Sequence, residues 1–405
     1  MGFPFIARDT VDSETPASFA TSVMPGREDS RAISIPPFRD RSRLSSYYEK
    51  TFYEEGRVAG ASEARIEKQD RLARVRRDVD GATLVLTSHE AVSWYLEGAR
   101  THVSLAGPPV LAVRAETHGD LLFVAANEAD RLIAEELLPE DAERVVRVPW
   151  WIPPSIAAAE RSGVPESQVA AELRAARARM LPAETERYRV LGRETAVTLT
   201  DVLGRVESDQ TERAVAAMVA AELIARGIDP LVVLVAGADR GAFRHPLPTA
   251  GVLGDRAMVV VCGRRDGLIA NATRWIGAPV DEEPLLGVER AFLDASVPGA
   301  RLDEAFAAGT AAYARFGFDA DEWQRHHQGG PSGYAGRDPR ATASTVDRLV
   351  ENQAFAWNPT APGLKVEDTM LRTAEGWDVL TVDDRWPSVE YEGLRRPVAR
   401  AYGAR

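Results

Sequence analysis

FRHPLPTAGVLGDRAMVVVCGRRDGLIANATRWI, residues 243–276, decides the fold. Ala257 to Cys262 is a short apolar run rich in β-branched residues. Gly254-Asp255 precedes it and Gly263-Arg264-Arg265-Asp266-Gly267 follows it, so turn chemistry bounds both ends. Leu268 to Ile276 reads as the return strand. His245 stands just before Pro246 and Pro248, in a stiff extended segment.

Working outward from the hairpin, the second half of the chain reads as helices and strands. Glu184 to Val202 is one helix. Asp209-Gln210-Thr211-Glu212 starts another that stops at Gly227. Leu231 to Val235 is a strand leading toward His245, and 299–317 is a helix before the loop 325–338. In the first half, 39–80 has a helical pattern. Residues 82–87, 109–113, 121–125 and 145–148 read as strands and 128–138 as a helix, a sheet flanked by helices. The fold class is therefore α/β. The divisions are a flexible or arm-like tail at 1–38, an amino-terminal sheet domain at 39–153 and a helical connector at 154–183, broken at Gly163-Val164-Pro165. A second domain at 184–383 and a tail at 384–405 complete the chain.

Composition bounds the function classes. The length of 405 residues allows two domains with large cores. The net charge of −12 opposes binding to nucleic acid or anionic membrane. A single cysteine, Cys262, permits no intramolecular disulfide and excludes a zinc-cysteine cluster. No apolar run approaches the ~20 residues a spanning helix needs. The start of the chain lacks a signal peptide's order of regions, so the expected location is cytoplasmic.

The segment His245-Pro246-Leu247-Pro248-Thr249, with Gly254-Asp255, Asp266-Gly267 and Thr273-Arg274, resembles the core hairpin of the pita-bread hydrolases: creatinase, prolidase, aminopeptidase P and methionine aminopeptidase. The resemblance continues through 326–333 (HHQGGPSG), 352–359 (NQAFAWNP) and 365–369 (KVEDT). It spans roughly 180–382, with a weaker match over 40–150. It implies an amino-terminal domain followed by a pita-bread catalytic domain, commonly in a homodimer whose partner closes the site.

Metal-dependent members carry two Asp ligands on this hairpin, where this chain has Val260 and Asn271. Their ligand histidine has become Gly330, and the Glu of their Glu-Pro strand has become Asn358. Glu367 alone survives at a ligand position. Valine cannot ligate, and a neutral amide is a poor substitute for a carboxylate. The expectation is a site with no metal and no other cofactor.

By resemblance to creatinase, which uses no metal, His245 is the proton shuttle; the alternative is a structural histidine bonding a carbonyl. Asn271 and Asn358 replace acids that hold a guanidinium there, which implies a neutral bound group such as an amide, urea or lactam. Alternatively, they fill decayed sites in an inactive relative. Arg337 stands where creatinase has a carboxylate-binding arginine, with Asp338 as its alternative partner. Arg100 falls near a segment that in creatinase reaches into the partner's site. His326 matches a second active-site histidine, whereas His327 is left without a role. Glu367 would orient His245 or a water, or is a remnant held by salt bridges. Cys262 is read as a small apolar filler rather than a nucleophile.

The expected function is metal-independent hydrolysis of a C–N bond in a small, carboxylate-bearing amino-acid derivative. A lyase on a small carboxylate substrate, and a non-catalytic pseudo-peptidase binding a metabolite or peptide, are the alternatives.

Overall fold

The computed structural model describes residues 61–403 apart from 118, 161 and 162. The arm-like stretch 1–38 and the start of the helical pattern in 39–80 lie outside the described residues.

Helix α1 (Ala61–Arg77) packs against a five-stranded mixed sheet in the order β4-β3-β2-β1-β5. Its strands are β1 (Leu84–Leu86), β2 (Leu111–Glu116), β3 (Gly119–Ala125), β4 (Val145–Val148) and β5 (Val164–Pro165). Helices α2 (His89–Tyr95), α3 (Ala129–Glu135), α4 (Pro139–Ala142), α5 (Pro154–Ala159) and α6 (Ala170–Ala178) complete this half. The connector was expected to be two helices with a break. The break is itself structured, since Val164 and Pro165 pair in parallel with Leu84 and Val85.

Long helices α7 (Pro182–Leu203) and α8 (Glu212–Ala225) lead into the antiparallel sheet of β6 (Asp229–Ala236), β7 (Arg256–Arg265) and β8 (Leu268–Gly277). Asp266 and Gly267 form the two-residue turn between β7 and β8, both at positive φ (50° and 76°). Asp-Gly is the pair such a turn favours, which is why the hairpin was legible. Alternation then sorts the two faces. Val259, Val261, Ala270 and Ala272 enter one continuous core shared with α7, α8 and the amino-terminal sheet. Met258, Val260 and Trp275 pack on the opposite face with Leu234 and Ala236. Cys262 pairs with Asn271, and Val260 with Thr273, so all four share this second face.

A second antiparallel sheet, in the order β14-β13-β10-β9, closes over that face. It comprises β9 (Gly329–Ser332), β10 (Gln353–Trp357), β13 (Met370–Thr373) and β14 (Gly376–Val379), with the short pair β11 (Thr360–Ala361) and β12 (Leu364–Lys365) between. Backbone bonds from Ile269 N to Gly333 O (2.8 Å) and from Thr273 N to Glu367 O (2.9 Å) stitch it to β8. Helices α9 (Glu283–Ala295) and α10 (Leu302–Arg315) pack outside, with Phe292 stacked on Trp357 at 4.4 Å.

The two halves are also tied by charge. Lys68 of α1 is fully buried, with Nζ 2.6 Å from Glu97 and 2.8 Å from Glu184 of α7. Tyr334 donates to the same Glu184 at 2.7 Å.

The expected tail at 384–405 is corrected by the structure. Strands β15 (Ser388–Tyr391) and β16 (Leu394–Pro397) form a hairpin, and Trp386 joins the main core. Arg396 is buried and grips Glu289 of α9 through Nε (2.8 Å) and Nη2 (2.7 Å). A fork on a carboxylate more than a hundred residues away holds the segment in place.

Candidate active site

His245 lies on the irregular segment between β6 and β7, and that segment is suspended from the first turn of α8. Glu212 accepts from Gly237 N (2.8 Å), Thr249 N (2.8 Å) and Thr249 Oγ1 (2.6 Å), and pairs with Arg240. On the other side of the histidine, Arg244 donates to Ala361 O (2.7 Å) and pairs with Glu322. An exposed imidazole is thereby held by buried anchors on two sides.

The segment brings His245 against the loop before β9. His245 Nε2 and His326 Nε2 are 3.0 Å apart, so one donates and the other accepts. His327, left without a role in the sequence, is the third member. Its ring lies 5.5 Å from His245 and 4.4 Å from His326, centre to centre. Gln328 fixes the turn, donating to His326 O at 2.7 Å and accepting from Tyr313 at 2.7 Å. Burial first, and then Lys365 among its neighbours, pushes His326 down to about 2. Burial, Arg337 and Arg340 push His327 down to about 3. His245 is lowered for the same reasons, burial before Lys365, with Glu367 opposing. His326 and His327 are thereby held neutral at ordinary pH, and His245 is shifted in the same direction.

Glu367 is buried on the same face. Arg337 Nη2 donates to Oε1 at 2.5 Å, Lys365 Nζ lies 3.0 Å from Oε2, and Thr273 Oγ1 donates to Oε2 at 3.0 Å. Burial alone would raise this carboxyl. Lys365 and Arg337 outweigh it and hold Glu367 well below the usual carboxylate range. The expected alternative partner for Arg337 is not the one found: Asp338 instead binds Arg177, at 2.5 and 2.7 Å. Lys365 was overlooked as a site residue. Its position two residues before Glu367 was the available signal.

Asn271 and Asn358 are both buried, and the side-chain oxygen of each lacks a hydrogen-bond partner. Asn271 Nδ2 donates to Ser332 Oγ at 3.1 Å. A buried carbonyl oxygen left without a donor costs about 1–3 kcal/mol, so these two oxygens suit an incoming N–H. Arg100 is not brought to this site within the chain. Its Nε donates to Glu136 at 2.6 Å, and its guanidinium is 61% exposed on the amino-terminal half. Burial pushes the Cys262 thiol up to about 12, which removes it as a nucleophile near neutral pH.

Two metal ions on this face, which the resemblance implies for metal-dependent relatives, do not fit these residues. Val260 belongs to an apolar cluster, and both oxygens of Glu367 are taken by cationic side chains. At Gly330 (φ 130°), a Cβ would meet Ala341 N at 3.0 Å and Pro339 O at 3.1 Å. The loop 339–341 packs against the position where, by the resemblance, metal-dependent relatives carry a histidine.

This architecture is the pita-bread fold, shared with solved prolidase and dipeptidase structures. The prolidase from Pyrococcus horikoshii OT3 superposes with a TM-score of 0.64 at 17% identity, over 79% of this chain and 99% of that chain. The dipeptidase PepE from Mycobacterium ulcerans gives 0.65 at 19% identity, over 84% and 98%. The N-terminal domain of the FACT complex subunit SPT16 from Cicer arietinum gives 0.60 at 13% identity, over 79% and 96%. No protein-family model and no curated protein sequence matches the chain. Among the described residues, no helix is long and apolar enough to cross a membrane.

Proposed function

We propose that the protein hydrolyses a C–N bond in a small, carboxylate-bearing amino-acid derivative, without a catalytic metal. The observation that carries this reading is the 3.0 Å approach of His245 Nε2 to His326 Nε2. His326 fixes the direction in which His245 offers its lone pair. His245 takes a proton from water, and the hydroxide adds to the carbonyl carbon. The C–N bond then breaks, and His245 returns the proton to the leaving nitrogen. The unpartnered oxygens of Asn271 and Asn358 accept N–H groups of a neutral amide, urea or lactam. Arg337, whose Nε has no hydrogen-bond partner, supplies positive potential for the carboxylate. Similarly folded structures include a prolidase and a dipeptidase, which supports the hydrolase class.

Screening purified protein with chelator present against N-acyl and N-carbamoyl amino acids and cyclic imino acids tests the reading. Turnover lost in His245→Ala is expected. Turnover that persists in His245→Ala overturns the assigned mechanism.

A homodimer belongs to the proposal. Phe243 and Leu247, on either side of His245, are 58% and 72% exposed, an apolar rim suited to a covering partner. Light scattering that finds a fully active monomer removes this part, and Arg100 with it.

The second reading is a non-catalytic binder. Glu367 is already neutralised by Arg337 and Lys365, and one similarly folded structure is a domain of a FACT complex subunit. Tight binding of the same compounds with no turnover supports it.

A further inference from the structure

We propose that His245, His326 and His327 form a site for one divalent transition-metal ion that prefers nitrogen ligands. It is distinct from the dimetal positions of the fold's metal-dependent members and uses none of them. The three residues come from two segments, and one nitrogen of each lies within 4.8 Å of the others. Tetrahedral zinc with bonds of about 2.0–2.1 Å to imidazole nitrogen places neighbouring ligand atoms roughly 3.3 Å apart. The 3.0 Å approach of His245 to His326 therefore needs only a small opening.

A second observation concerns an unused lone pair. Nδ1 of His327 is buried without a hydrogen-bond partner, whereas His326 would ligate through the Nε2 that already faces His245. A ring nitrogen left bare in this way pays for its desolvation until something binds it. Exposure of His245 gives an ion its entry path and leaves a fourth position to water.

The donor set selects the ion. Three imidazoles with no free carboxylate suit zinc, cobalt, nickel or copper, whereas magnesium, calcium and manganese need oxygen ligands. The surrounding charge acts in two directions. Lys365, Arg337 and Arg340 weaken the attraction for any cation, and Glu367 partly offsets them.

The test uses full-length, tag-free protein stripped with chelator, and needs no substrate. Cobalt(II) is titrated at pH 7.5 and followed by visible absorption, and zinc by calorimetry. One equivalent is expected, with ligand-field bands and no thiolate charge-transfer band. His326→Gln and His327→Gln should each lower zinc affinity at least tenfold, while millimolar magnesium does not displace cobalt. Wild-type protein that gives no saturable cobalt bands overturns the site, whatever the variants do. Equal zinc affinity in wild type and a folded His327→Gln overturns it as well. Because binding is read directly, an incorrect hydrolase assignment leaves these outcomes unchanged.

Discussion

Arg337 and Glu367 form the inner ion pair of the site, with Nη2 2.5 Å from Oε1, and Lys365 completes the carboxylate from the other oxygen. One buried anion therefore holds two cations in place. Removing it leaves both cations uncompensated, at about 3–5 kcal/mol. The Glu367 carboxyl is held below its ordinary value, so it contributes stability above about pH 4.3, the value expected in the unfolded chain. That contribution is lost as the pH falls. Thermal melts of wild type should drop below this pH, and Glu367→Gln should start lower and lack that part of the drop. A variant with wild-type stability at pH 7 contradicts the pair's importance.

Charge selectivity follows from the amides and the arginine together. Compounds with a neutral scissile group and an acidic end should bind, and creatine-like cations should fail at Asn271 and Asn358. A hydrogen bond to a charged group contributes about 1.5–3 kcal/mol. Arg337→Leu should therefore weaken binding of the acid about tenfold or more relative to its amide. Calorimetry on the matched pair checks this, and equal losses for acid and amide would remove Arg337 from substrate binding.

Metal removal and metal addition should have opposite outcomes. Activity should survive exhaustive chelation, because no step of the proposed hydrolysis uses a metal. Added zinc should inhibit, since an ion between His245 and His326 replaces the contact that orients His245, and chelator should restore the rate. Activity that vanishes on chelation and returns with zinc would make the ion a catalyst and the metal-free mechanism wrong.

Glu212 is a positioning residue, since it touches the segment carrying His245 at Gly237, Arg240 and Thr249 without reaching the histidine. Glu212→Gln keeps the shape and gives up the charge. It should lower kcat about tenfold while changing KM little, and Glu212→Asp should recover part of the loss. An unchanged kcat with reduced thermal stability would mark the contact as structural only.

The sequence exposed the hairpin because Asp266-Gly267 demands one particular turn, and the segment at His245 because two prolines make it rigid. His327 was given no role, although only strand parity would keep its ring apart from that of His326. That parity holds only in paired backbone, and 326–328 precede β9. Leaving a short 3-10 turn, both rings fall on one side. The sequence reading assigned no element to 283–295, where Pro284 and Gly287 disfavour a helix interior. Pro284 sits in the first turn, where its missing N–H costs nothing, and a Cβ at Gly287 would collide with the Phe316 ring. The carboxy-terminal hairpin was hidden because composition does not show that Arg396 reaches Glu289.

The backbone packed at Gly330 makes a dinuclear site harder to install than a list of ligands suggests. Installing Asp at 260 and 271, His at 330 and Glu at 358 would bring every ligand type to the chain. A side chain at 330 would still meet main-chain atoms of Pro339 and Ala341 at 3.0–3.1 Å, at a positive φ that disfavours any residue with a Cβ, so the loop would have to give by a few tenths of an ångström. An engineer seeking a dinuclear peptidase here would have to adjust the loop as well as the ligands. Until then, each installed acid would be a buried charge with no ion to face.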